Sequence, residues 1–98
     1  MMKIKNNSGK YKKEIVQVIS GVAKDKELLS EFIKDILTPH EYENIAIRWQ
    51  IVKRLAKREH HQSIANNLGV GVATVTRGSR EMRKKKGGLQ RALKVIHN

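Results

Sequence analysis

The feature that most constrains this chain is the spacing of small and apolar residues in the stretch HQSIANNLGVGVATVTR. Ala65 is followed four residues later by Gly69. Apolar residues stand one and six positions after that glycine, at Val70 and Val75. The small alanine lets a second helix approach closely, and glycine adopts the left-handed backbone that a tight turn needs. The spacing predicts a helix-turn-helix over about residues 61–82, the alternative being a helical hairpin that only packs.

The second helix of this motif presents a face of small side chains. On a helical wheel of about 100° per residue, Val75 and Met82 point toward the first helix. Ala73 and Thr76 point away from it, and small residues on such a face suit close entry into the major groove of DNA. Arginines farther along this face either meet phosphates or stay solvated. We therefore predict DNA contact from the following residues: Gln62, Gly71, Val72, Ala73, Thr76, Arg80 and Arg83.

The charge of the chain indicates a polyanionic partner. Its 98 residues carry a net charge of +12, and neutralising phosphates with such cations releases condensed counterions. The apolar fraction of 39% is low for one small domain with a self-sufficient core, so we expect burial against a second copy. Only 4% of the residues are aromatic, which argues against base stacking on single-stranded nucleic acid.

Other classes of protein are disfavoured by what the sequence lacks. It contains no cysteine, which excludes disulfides and zinc–thiolate sites, and we expect no metal site. No apolar run reaches the ~18 residues of a membrane span. No grouping of nucleophile, base and carboxylate suggests catalysis, so we expect no enzyme. The expected location is the cytoplasm.

Helical patterns extend along most of the remaining chain. Residues 1–9 are interpreted as a flexible basic arm and residues 10–98 as a single helical domain. Thr38, Pro39 and Glu41 form a capping-box pattern, which predicts a helix start with Thr38 as its N-cap. Two apolar stripes at helical spacing are expected to form core: Ile15, Val18, Ile19 and Val22, then Leu28, Leu29, Phe32, Ile33, Ile36 and Leu37. The fold class is all-α, with about six helices.

Two arginines fit neither a core nor a groove-reading face. Arg48 falls inside the apolar arc of its helix, where a buried guanidinium needs an anionic partner. We favour a protein carboxylate over a bound anion as that partner. Arg77 lies with Thr74 and Glu81 on a third side of the second motif helix. Something other than the core or DNA is expected to contact that side.

A family resemblance joins these observations. The octet VATVTRGS at residues 72–79, together with Leu37-Thr38-Pro39, Arg48, Ile51 and Val52, resembles the signature of the tryptophan repressor family. The resemblance covers about residues 28–82. It implies an intertwined, all-helical homodimer whose paired reading helices enter successive major grooves of double-stranded DNA. It also implies L-tryptophan as corepressor.

The resemblance also implies a ligand slot for this chain. Arg48 would flank the indole, and Arg77 would hold the carboxylate. Where the family usually has serine, Glu81 would either bind the ligand ammonium or pair with Arg77 and fill the slot. Leu37 and Thr38 would come from the partner chain. The implied ligand-binding residues are Leu37, Thr38, Arg48, Val52, Thr74, Arg77, Gly78 and Glu81.

The leading prediction is a transcriptional repressor gated by L-tryptophan. One alternative is a DNA-binding regulator of the same fold that is constitutive or takes another ligand. A second alternative, from another class, is a basic RNA-binding protein.

Overall fold

The structure, a computed structural model, describes residues 7–96 of the chain. Within that range it contains six α-helices and no strand, which confirms the all-α prediction. The helices are α1 (Ser8–Val22), α2 (Lys26–Ile36), α3 (Pro39–Ala56), α4 (His61–Leu68), α5 (Val72–Met82) and α6 (Gly88–Ile96). Residues 1–6 of the predicted arm lie outside the described residues, and Ser8 and Gly9 belong to α1. No helix in the described range is long and apolar enough to cross a membrane.

The described part of the chain divides into two compact units, with the boundary between Tyr42 and Glu43. In the first unit α1 packs against α2. The side chain of Asp25 caps α2, because its Oδ1 accepts from the backbone amides of Glu27 and Leu28, each at 3.1 Å. Neither helix contains a buried residue. The prediction that their apolar stripes form a core is therefore wrong for the single chain, since one neighbouring helix cannot cover a stripe this broad.

The start of α3 follows the predicted capping box. The Thr38 hydroxyl accepts from the Glu41 backbone amide at 3.1 Å, and the Glu41 carboxylate accepts from the Thr38 amide at 2.8 Å. The hydrogen bond from the Thr38 backbone amide to the Glu41 carboxylate, together with the Thr38 side chain, holds the pKa of Glu41 below its ordinary range. Pro39 is the first residue of the helix, where it lacks only an amide that would have no helical partner.

The end of α3 is a tight left-handed turn. Arg58 has a φ of 63°, a value that favours glycine. Its amide donates to the carbonyl of Leu55 at 2.9 Å, and the amide of Glu59 donates to the carbonyl of Arg54 at 3.2 Å. These two bonds form a Schellman motif with Arg58 in the left-handed position. The turn therefore ends α3 at Ala56, ahead of α4.

The core of the second unit lies where α3, α4 and α5 meet. Its buried residues, each at most 3% exposed, are Ile51, Val52, Ile64, Ala65 and Val75. The turn between α4 and α5 contains Gly69 with a φ of 68°, and the amide of Val70 donates to the carbonyl of Ala65 at 3.0 Å. The helix-turn-helix predicted over residues 61–82 is thus present, with both helices at the predicted positions.

Helix α6 closes the second unit against α5. The side-chain amide of Gln90 donates to the carbonyl of Met82 at 2.6 Å, which satisfies an acceptor at the end of α5. Leu89 is half-buried, whereas Val95 and Ile96 remain exposed near the end of the described chain.

Candidate DNA-reading surface and ligand pocket

The outer face of α5, with the first turn of α4, forms a continuous exposed surface. Val75, which is 0% exposed, anchors α5 to α4 from the opposite side. This anchoring fixes which side chains of α5 can face a partner. The residues predicted to contact DNA are all exposed: Gln62, Gly71, Val72, Ala73, Thr76, Arg80 and Arg83. Their placement on one accessible surface suits the predicted role, and DNA contact itself stays a prediction.

One contact ties the start of α4 to this surface. The Oγ1 of Thr76 lies 3.5 Å from Nδ1 of His61, the first residue of α4. The side-chain amide of Gln62 donates to Oδ1 of Asn66 at 3.1 Å along the same helix. His61 therefore stands beside the residue predicted to read bases. Sequence reasoning did not place it there because the contact joins residues fifteen positions apart.

Positive charge continues beyond α5. Arg80 and Arg83 are followed by the exposed Lys84, Lys85 and Lys86. A single carboxylate, that of Glu81, interrupts this run of cations. The surface therefore combines small side chains near the start of α5 with concentrated positive charge at its end.

A cleft of about 690 Å³ lies on the other side of α5, between that helix and α3. Its wall is completed by Val70 from the turn and Leu89 from α6. It contains six of the eight predicted ligand-binding residues: Arg48, Val52, Thr74, Arg77, Gly78 and Glu81. The remaining two, Leu37 and Thr38, belong to the first unit and were predicted to contact ligand in a partner chain, which stays a prediction.

The guanidinium of Arg48 is exposed at this cleft, so the expected burial of that residue is wrong. The ion pairs formed among residues 7–96 include neither Arg48 nor Arg77. The carboxylate partner favoured for Arg48 is therefore not found in the described part of the chain. The cleft instead carries two guanidiniums that are free to bind an anion.

Gly78 allows α5 to lie close to α3. A β-carbon on Gly78 would stand 3.0 Å from Cγ2 of Ile51 and 3.7 Å from Cδ1 of Leu55. Ile51 is only 2% exposed and has little room to move. The glycine thus sets the width of the cleft at the level of Arg77, the preceding residue.

Glu81 lines the cleft but does not pair with Arg77. Its Oε1 accepts from Nζ of Lys84 at 2.7 Å, three residues further on and past the end of α5. This hydrogen-bonded lysine, with smaller contributions from Arg77 and Arg80, holds the pKa of Glu81 below its ordinary range. The predicted alternative, a Glu81–Arg77 ion pair that fills the slot, therefore does not form within residues 7–96.

Several cleft residues escaped the sequence analysis. Asn44 precedes Arg48 by one turn, and their shared row on α3 was the signal that could have revealed it. Trp49 and Ile45 are apolar, and an apolar side chain on a helix gives no signal that separates cleft lining from packing. The residues that line the cleft without having been predicted are Asn44, Ile45, Ile47, Trp49, Ile51, Val70 and Leu89. Among residues 7–96, no three side chains are grouped as metal ligands.

The fold and these two surfaces define a class, a helix-turn-helix regulator with a cleft behind its exposed helix. Comparison with known proteins identifies the family. A family model described as Trp repressor protein matches residues 10–96. The chain belongs to the Trp repressor family, which comprises non-enzymatic DNA-binding transcription regulators.

Individual relatives agree with this assignment. A Trp operon repressor homolog of Vibrio parahaemolyticus serotype O3:K6 is 34% identical over 84 residues, which cover 85% of this chain and 81% of that protein. A homolog from Vibrio vulnificus is 47% identical over 51 residues, or 51% of this chain and 50% of that protein. A homolog from Photobacterium profundum is 44% identical over 52 residues, which cover 52% of this chain and 50% of that protein. No solved structure matches the chain.

Proposed function

We propose that this protein is a sequence-specific transcriptional repressor that binds double-stranded operator DNA as a homodimer, with L-tryptophan as corepressor. One observation carries the proposal: helix α5 is both the exposed helix of the motif and a wall of the cleft. Ala73 and Thr76 lie on its outer face, whereas Thr74 and Arg77 line the cleft. A ligand in the cleft would therefore press on the helix that contacts DNA.

The chemistry of the cleft supports an aromatic amino acid as ligand. Arg48 and Arg77 supply planar, permanently charged groups. One such group can stack on an indole ring, while the other holds a carboxylate through paired hydrogen bonds. Val52 and Ile51 provide an apolar floor. A volume of about 690 Å³ lies within the usual range of small-molecule sites.

The exposure of the apolar helices supports a homodimer. Helices α1 and α2 bury no residue, and Leu28 and Ile36 are 49% and 53% exposed. Large apolar surfaces of this kind mark sites of association. An intertwined second copy would cover these stripes and would bring Leu37 and Thr38 of the partner subunit to the cleft. Two reading helices about 34–36 Å apart would then enter successive major grooves.

Calorimetric titration with L-tryptophan tests the corepressor. We expect saturable binding and tighter binding of selected duplex DNA when the ligand is present. Arg77→Gln is expected to weaken tryptophan binding at least tenfold, because it removes the carboxylate partner. Arg91→Gln, which removes the same charge from α6 outside the cleft, serves as the matched control. No heat and no change in DNA affinity at millimolar tryptophan would contradict the proposal.

The net charge of +12 favours one alternative, a regulator of the same fold that binds DNA constitutively or takes a different ligand. A mobility-shift assay at physiological salt, without any amino acid, separates the two. Tight sequence-specific binding in that assay supports constitutive action. Equal binding of structured RNA and duplex DNA would instead favour an RNA-binding role. In each case we expect the protein to act in the cytoplasm.

A further inference from the structure

We infer that the ion pair between Glu81 and Lys84 couples the cleft to DNA: the ammonium group of a bound α-amino acid replaces Lys84 on the Glu81 carboxylate, and the released lysine binds a DNA phosphate. This inference rests on the proposed function. It goes further by naming the group that the ligand ammonium displaces and a route by which ligand strengthens DNA binding.

Glu81 and Lys84 lie on either side of the end of helix α5. Glu81 is inside the helix, four positions after Arg77, and residues four apart on a helix lie on one face, here the cleft side. Lys84 lies two positions beyond the last helical residue, Met82, and leads into the exposed Lys85. The 2.7 Å bond from Lys84 to Glu81 therefore joins the cleft to the exposed cations that follow α5.

The charges of the cleft match a zwitterion. Arg77 offers a cation and Glu81 an anion, and residues four apart on a helix have β-carbons about 5–6 Å apart. An α-amino acid carries its carboxylate and its ammonium on the same carbon, so both groups can reach these two side chains together. A ligand without an amine would satisfy Arg77 and leave Glu81 with Lys84. The structure thus favours α-amino acids over simple carboxylic acids.

The existing ion pair is suited to exchange. The side chains of Lys84 and Glu81 are 66% and 48% exposed, and ion pairs in contact with water are weak. An ammonium held within the cleft would be less hydrated, and the bond it forms to the carboxylate correspondingly stronger. The neighbouring cations keep Glu81 ionised at neutral pH, so the carboxylate is ready to accept either partner.

Exchange makes ligand and DNA cooperate. Each of them draws apart the same two side chains, so the binding of one makes the binding of the other easier, by the same factor in both directions. A released Lys84 adds one phosphate contact per chain. Each added contact steepens the plot of log affinity against log salt by about 0.9.

The test compares L-tryptophan with indole-3-propionate, which lacks the ammonium, in calorimetric titrations of the full chain. The wild type should bind L-tryptophan at least tenfold more tightly than indole-3-propionate. Glu81→Gln should remove most of this preference while retaining affinity for indole-3-propionate. Lys84→Met should bind L-tryptophan more tightly than the wild type does, because no lysine competes. Lys85→Met is the matched control and should behave as the wild type in both titrations.

Salt dependence of DNA binding supplies the second readout. Tryptophan should steepen the salt dependence of wild-type and Lys85→Met protein by about 0.9 per chain, but not that of Lys84→Met. If Glu81→Gln keeps the full preference for L-tryptophan, or Lys84→Met keeps the full steepening, the inference is overturned while the proposed function stands. If the wild type binds no tryptophan, both are overturned. Circular dichroism of each variant verifies that it remains folded.

Discussion

Gly78 and Ile51 approach so closely that a β-carbon on the glycine would lie 3.0 Å from Cγ2 of the isoleucine. The contact brings the middle of α5 onto α3 beside the cleft. Because Ile51 is buried, the space cannot be regained by a small movement of its side chain. The conformation of the exposed helix is thereby tied to packing in the floor of the cleft.

Replacement of this glycine should lower stability despite its helical position. Gly78→Ala gains up to about 1 kcal/mol of helix propensity but incurs an overpacking cost of roughly 1–3 kcal/mol. We expect a lower Tm, measured by circular dichroism at fixed protein concentration. Gly21→Ala is the matched control, because Gly21 is also helical and nothing would lie within 4 Å of its new β-carbon. The control should raise the Tm, and equal increases in both variants would contradict the close contact.

Relief of the left-handed turn at Arg58 should stabilise the protein. At a φ of 63° a residue with a side chain is strained, whereas glycine is not. Glycine also raises the conformational entropy of the unfolded chain, but this offsets only part of the stability gained by relieving the strain. We expect Arg58→Gly to add about 0.5–1 kcal/mol to the free energy of unfolding. Lys57→Gly removes the same charge one position earlier, where φ is not positive, and should lower that free energy. Urea titrations measure both, and a loss for Arg58→Gly refutes the account.

The capping box predicts a specific acid sensitivity. The pKa of Glu41 is lowered in the folded protein by its hydrogen bonds to Thr38. Its contribution to stability is therefore complete above the ordinary glutamate pKa near 4.5 and is lost as the pH falls through the lower folded value. Glu81, held by Lys84, contributes in the same direction. Glu41→Gln should flatten the fall in Tm below that pH, with Glu43→Gln as the control for charge, and an unchanged curve would contradict the assignment.

The parts of the fold that local chemistry determines were predictable. The turn at Gly69 and the cap at Thr38 depend on a few neighbouring residues, and both form as predicted. The inward position of Val75 follows from helical geometry together with that turn. Six of the cleft residues were predicted as well, but through the family resemblance.

The features that the sequence does not predict depend on which side chains the rest of the protein covers. A helical wheel places Arg48 among apolar neighbours, but Ile45 in the same arc is itself 51% exposed, so this side of α3 is not buried by the single chain. Arg77 is four positions from Glu81 in the sequence and Lys84 is three. Lys84 is the one that pairs with the Glu81 carboxylate. Sequence spacing identifies which cations are within reach of a carboxylate, whereas rotamers and hydration decide among them.

The cationic end of α5 should contribute affinity without sequence preference. Arg80→Gln removes one predicted phosphate contact per chain, so the plot of log affinity against log salt should become shallower by about 0.9 per chain. Relative affinities among duplexes of different sequence should stay the same, because phosphates carry no base information. Fluorescence anisotropy at several salt concentrations measures both quantities. Lys12→Gln, which removes a charge from exposed α1, should leave the slope unchanged. A change in base preference with an unaltered slope would instead make Arg80 a base-reading residue.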